Sequence, residues 1–254
     1  KLKKGMREFI IETYDLDLKL INKTPITIPK KSIMRASVFN GKNFIFIFQN
    51  IIKKENHIVT LDSNGKIIKN KKTINKKMNA LTEGIAAYTA KDGSGFYLVE
   101  TIKEKKWGFK IGKYDENLVK KWEKKFIQPK GIVMVESVES SNDRVILIKA
   151  ARPSLMSKKV KGTVMCLDDK TGLSQFEYEL YDGEITCLPS SFLIDKSGNI
   201  VAAGMYFDGE KWTSNNSDGI FFLKLDSSGK KIFYNVIDWD TGIQKTLAAT
   251  SIKF

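Results

Sequence analysis

The sequence predicts an all-β chain built from four-stranded antiparallel units. Three observations carry this. No window shows the sustained 3.6-residue apolar period and capping residues of a helix; even 116–126 (ENLVKKWEKKF) alternates as well as it coils. Short apolar runs are instead separated by Gly, Asn, Asp and Ser clusters. A strand followed by an acidic turn also recurs five times, its Asp falling at 15, 62, 115, 168 and 226. In such a turn the carboxylate can bond the backbone, and a following Gly or Asn can take positive φ.

The elements follow in order. Residues 5–28 supply only the last two strands of a unit. The first whole unit, about 31–75, reads as Ile33–Phe39, Asn43–Gln49, His57–Leu61 and Lys66–Ile74. The second, about 81–127, reads as Gly84–Thr89, Phe96–Ile102, Trp107–Tyr114 and Leu118–Ile127. The third, about 131–181, reads as Ile132–Val138, Arg144–Ala150, Gly162–Leu167 and Leu173–Leu180. The fourth, about 184–239, reads as Ile185–Ile194, Asn199–Phe207, Gly219–Leu225 and Lys231–Trp239. Residues 247–254 supply the first strand of another. Four strands per repeat of about 50 residues is the arithmetic of a β-propeller blade. The expectation is therefore one β-propeller-like domain over 1–254, or a segment of one, with a pair of β-sandwiches as the alternative. Joining the two partial blades would close a ring of five; the preferred reading is a segment of a longer chain.

Composition narrows the class. With 42% apolar and 11% aromatic residues, 254 residues can bury a substantial core. Two Cys cannot staple such a chain, and no apolar run approaches the ~20 residues of a membrane helix, so no membrane insertion is expected. The net charge of +14 is uneven: residues 1–127 hold 28 Lys plus Arg against 13 Asp plus Glu, residues 128–254 hold 15 against 16. Of 43 basic residues only Arg7, Arg35, Arg144 and Arg152 are Arg. Nucleic-acid readers favour the bidentate Arg fork, whereas Lys solvates any surface. A Lys/Asn/Ile bias also arises in an AT-rich genome without selection for binding, so no nucleic-acid partner is expected.

Chemistry-bearing residues are few. His57 is the one His and reads as a polar residue at a strand start; no His/Cys cluster accompanies it and no G-x-S-x-G is present. Cys166 and Cys187 read as two buried thiols, or else as a disulfide. Glu83, Glu136, Glu139 and Glu184 lie on or near first strands, where propeller glycosidases place carboxylates; alternation puts Glu136 and Glu139 on opposite faces. No cofactor and no metal is implied. Arg152, followed by Pro153, opens a long loop with Met156, and its counterpart one unit on holds Tyr206 and Trp212. An Arg, a Met and aromatics on rim loops suit a binding surface.

The runs Tyr114–Lys125, Ala151–Lys158 and Gly219–Gly229 resemble an uncharacterised propeller-like family of envelope proteins from AT-rich Gram-negative bacteria. The resemblance implies an exported, periplasmic or cell-surface location and no catalytic residues. The functional expectation is a non-enzymatic binding or scaffold protein with a protein or glycan partner. The alternatives are a carbohydrate-active hydrolase using carboxylates, and anionic-polymer binding through the Lys-rich first half.

Overall fold

A computed structural model describes residues 3–74, 84–141, 143–209 and 217–239. Among them there is no helix, and so none long and apolar enough to cross a membrane. β1 (Met6–Tyr14) and β2 (Leu20–Pro29) form a two-stranded antiparallel sheet. Four-stranded sheets follow, each a meander in chain order. The first holds β3 (Ile33–Phe39), β4 (Asn43–Asn50), β5 (Glu55–Asp62) and β6 (Ile67–Ile74). The second holds β7 (Ile85–Thr89), β8 (Phe96–Lys103), β9 (Trp107–Tyr114) and β10 (Lys120–Ile127). The third holds β11 (Ile132–Ser141), β12 (Arg144–Arg152), β13 (Lys161–Asp168) and β14 (Ser174–Glu179). The fourth holds β15 (Ile185–Ile194), β16 (Ile200–Asp208), β17 (Gly219–Leu225) and β18 (Lys231–Asp238). These are propeller-like blades, and the fold is all-β and β-propeller-like. The terminal stretch 247–254 lies outside the described residues. The chain forms two compact units, Lys1–Phe126 and Ile127–Phe254.

Within each unit, sheets stack face to face. The middle strands are therefore apolar on both sides. In β4 (NFIFIFQN), Phe46 and Phe48 join a core with Ile26 and Ile28 of β2, while Ile45 and Ile47 join one with Ile85, Phe96 and Leu98 of the second sheet. In the second unit Ile146, Ile148 and Val164 of the third sheet meet Ile200, Phe221 and Leu223 of the fourth. Each fully buried side chain of this size contributes about 1.5–3 kcal/mol. Outer strands carry the lysines: Lys69, Lys71 and Lys72 on β6, Lys120, Lys121, Lys124 and Lys125 on β10. Charge on an unpaired edge opposes edge-to-edge association.

The acidic turns form as the sequence predicts, with one correction. Asp15, Asp62, Asp115 and Asp226 each accept the backbone N–H groups two and four residues on, at 2.8–3.0 Å. Gly65 and Gly229 take positive φ three residues after their Asp and Gly172 four after its own, but Leu18 (φ 59°) and Leu118 (φ 61°) hold the third place in the other two turns. Leu118 was expected to start the fourth strand of its blade. Instead it turns inward, 3% exposed, against Ile45, Ile58 and Phe96, whereas Leu18 is 81% exposed. The first strand of three blades also bulges, at Arg35 in β3, Glu136 in β11 and Ser190 in β15.

The two leucines give a paired test. A left-handed non-glycine residue costs roughly 1–2 kcal/mol, part of which glycine returns as unfolded-state entropy. Leu18→Gly is expected to stabilise the chain by about 0.5–1 kcal/mol, because nothing is lost with the side chain. Leu118→Gly is expected to destabilise it by about 2–4 kcal/mol, since lost burial outweighs the relieved strain. Urea denaturation of both variants reads the difference; changes of the same sign would refute the account.

Candidate functional site

Of the four expected rim residues, Arg152, Met156 and Tyr206 are among the described residues, and Tyr206 is buried within a strand. Arg152 is the last residue of β12, half-buried and in register with Ile132. Met156 follows in the loop to β13 and is 93% exposed. Tyr206 is not on a loop. It lies inside β16, 5% exposed, between Cys187 and Gly219, and donates to Asp238 of β18. The strand runs on past Tyr206 to Asp208, so the aromatic packs in the core. Trp212 lies outside the described residues, as does Glu83.

The carboxylates are dispersed. Glu136 is the exposed bulge residue of β11, and Glu139 is half-buried further along that strand. Glu184 is exposed ahead of β15. Among the described residues no three His, Cys, Asp or Glu side chains could hold a metal ion. Cys166 and Cys187 are both free and buried in one core. Burial pushes each thiol up to about 11, so neither is a nucleophile near neutrality.

Polar residues that sequence reasoning passed over collect at one end of the first blade. Ser32, Gln49, Asn50, Glu55 and Asn56 are buried, and so is His57, which lies inside β5 rather than at its start. Arg35 Nε donates to Gln49 Oε1 (2.9 Å), and Gln49 donates to Asn56 Oδ1 (3.4 Å). Lys72 pairs with Glu55 at 2.6 Å, and His57 Nε2 stands 3.5 Å from the same carboxylate. The signal was available: polar residues end one apolar strand (Gln49, Asn50) and begin the next (Glu55, Asn56, His57). Among the described residues the partners lie in the same blade, apart from a donation by Arg7 to the Ser32 carbonyl. This network fixes the hairpin end.

The stronger candidate is a cleft of about 580 Å³ in the first unit, between its two four-stranded sheets. Ile58, Leu98 and Leu118 line it on the apolar side, with Ile74 and Ile102 beside them. Its polar side is an ion network. Lys110 pairs with Glu100 at 2.6 Å and with Glu123 at 3.6 Å, and Tyr114 donates to Glu123 at 3.4 Å. Lys125 pairs with Glu104. Burial works against the Lys110 charge, but Glu100 and then Glu123 outweigh it and hold the ammonium above the usual lysine range. Burial, then the charges of Glu123 and Glu100, push the Tyr114 phenol well above its usual range. Both groups therefore keep their protons at neutral pH. They can donate hydrogen bonds and fix a charge, but neither can act as a base or nucleophile.

The polar cluster gives a pH test. Burial, against the pull of Glu55, lowers His57 below the ordinary histidine value. The unfolded chain then binds the extra proton first, so stability falls as pH drops through about 6.5. Glu55 is lowered by Lys72 and loses its contribution only further down, in the carboxylate range. Between pH 7 and pH 5 the melting temperature is expected to fall, and to fall less in His57→Gln. An unchanged slope in that variant would overturn the assignment.

The chain is similar in fold to several solved structures. The apocarotenoid oxygenase of Synechocystis, in its Glu150Gln form, matches with TM-score 0.41 and 11% identity over 82% of this chain and 50% of that one. The β-propeller domain of the Trilobed protease from Pyrococcus furiosus matches with TM-score 0.39 and 13% identity, over 94% and 81%. The exo-β-1,3-galactanase of Phanerochaete chrysosporium, bound to galactose, matches with TM-score 0.38 and 9% identity, over 91% and 54%. The chain spans about half the length of the oxygenases it matches. No curated protein matches it. One family model covers residues 1–252, and by that match the chain belongs to the family of unknown function DUF6770.

Proposed function

We propose that the chain is a non-enzymatic binding or scaffold module of the bacterial envelope. One observation carries the reading. A cleft in the first unit joins an apolar wall to Lys110 and Tyr114, which are paired with carboxylates and keep their protons. Such a site can hold a ligand but offers no group poised to transform one. The loop after β12, with Arg152 at its start and Met156 exposed, adds a surface for a protein or glycan partner. The envelope location rests on the resemblance of 114–125, 151–158 and 219–229 to envelope proteins.

A second reading, a carbohydrate-active hydrolase, draws on one feature. Glu136 is carried on a bulge, and bulges re-aim side chains beside active sites. Its weakness is the want of a placed partner carboxylate, which glycoside hydrolysis requires at about 5–10 Å. A broad glycan-hydrolysis screen of the purified chain is expected to show no turnover. Turnover abolished by Glu136→Gln or Glu184→Gln would overturn the binding-module reading. Fractionation of the source bacterium, probed with antibody, is expected to place the protein with the envelope; recovery with the cytosol would overturn the location.

A further inference from the structure

We infer that the cleft between the two four-stranded sheets of the first unit takes a free single-chain amphiphile with one carboxylate head, its tail along Ile58, Leu98 and Leu118 and its head at Lys71 and Lys103. The inference rests on the binding-module reading and names the ligand class. Shape comes first. A cleft of about 580 Å³ lies within the usual size of small-ligand sites, and both sheets contribute apolar residues to it.

Leu118 is the second argument. Its turn demands a left-handed residue, where glycine is cheapest, yet the place is held by a leucine that faces the cleft and the core. Leu18 holds the same left-handed place with its side chain exposed, so it is the inward side chain of Leu118, not the backbone, that marks the cleft.

Charge supplies the head group. Four lysines line the cleft. Lys110 is matched by Glu100 and Glu123, and Lys125 by Glu104. Lys71 and Lys103 have no ion pair among the described residues; Lys103 only covers the Trp107 ring, at 5.0 Å. Both are exposed, Lys71 within β6 in register with Ile58 and Lys103 at the end of β8. Two uncompensated ammonium groups beside an apolar wall complement an anion that carries an apolar tail. A neutral sugar would leave them unmatched, and an uncharged lipid would gain nothing from them.

The test uses dodecanoate and dodecanol, below their aggregation limits, by calorimetry on the purified chain. Dodecanoate is expected to bind saturably at one site per chain. The double variant Lys71→Glu, Lys103→Glu, both on exposed positions, is expected to weaken it by about tenfold or more, while dodecanol binds more weakly and is indifferent to the change. Equal binding of the two probes, or dodecanoate binding untouched by the variant, would overturn the inference. So would an absence of dodecanoate binding, and so would binding confined to phosphatidylglycerol vesicles with none to the free acid. Each of these leaves the binding-module reading intact, since only turnover in the glycan screen overturns that.

Discussion

The stack depends on a small polar contact: a side chain of one sheet donates to a carbonyl in the acidic turn of the next. Thr24 of β2 bonds the Gly65 carbonyl, and Asn22 bonds Asn64 beside it. Thr60 of β5 bonds Glu116 at 2.8 Å, and in the second unit Arg144 of β12 bonds Ser227 at 2.6 Å. The marker Asp satisfies the turn's N–H groups from within, which leaves its carbonyls facing outward. A buried carbonyl without a donor costs roughly 1–3 kcal/mol, so a neighbouring sheet in the wrong place would be penalised. The turn is thus closed by its own Asp and located by its neighbour. Close approach follows: a Cβ on Gly65 would lie 2.6 Å from Thr13 Oγ1, and one on Gly229 would lie 2.4 Å from the Phe176 ring. Glycine at these two turns supplies room as well as positive φ.

That contact explains why middle strands can be apolar on both faces. A single four-stranded sheet with β4 at its centre would expose Phe46 and Phe48 on one side or Ile45 and Ile47 on the other. Neither face is affordable alone, so the sheets are stable only as stacks, the general condition of repeat proteins. Outer strands have the opposite pattern, with half-buried positions among exposed ones, as in β14 and β18. In the first unit they are where lysine accumulates, so much of the net charge of +14 sits on unpaired edges. The charge excess is better read as edge protection and solvation than as one binding field.

What was legible in the sequence was local. The Asp turns, the strand and gap lengths and the apolar runs all depend on residues within a few positions of one another. So β3 has the ends its alternation predicts, Ile33 and Phe39, and β15 and β17 likewise. The rest depends on contacts between sheets. Leu118 follows an Asp turn by the same spacing as Leu18, yet only the neighbouring sheet decides that one is buried and the other solvated. Tyr206 looked like a loop aromatic because the polar stretch after it begins at Asp208; its burial is set by β15 and β17 on either side. The cleft was invisible for the same reason, since its lining comes from β5, β6, β8, β9 and β10, with Leu118 between the last two.

The ionisable groups of the interior share one physical tendency. Burial raises the Cys166 and Cys187 thiols and the Tyr114 phenol, and lowers His57. In every case the neutral form is favoured, as desolvation alone requires. Glu55 and Lys110 are exceptions: Glu55 stays charged because Lys72 stands against it, and Lys110 because two carboxylates do. Removing either carboxylate's charge would weaken the lysine's hold on its proton in a half-buried place, so the three groups persist together or not at all. These fixed charges stand where a partner of opposite sign faces them, in the cleft of the first unit and at the hairpin end of its first blade.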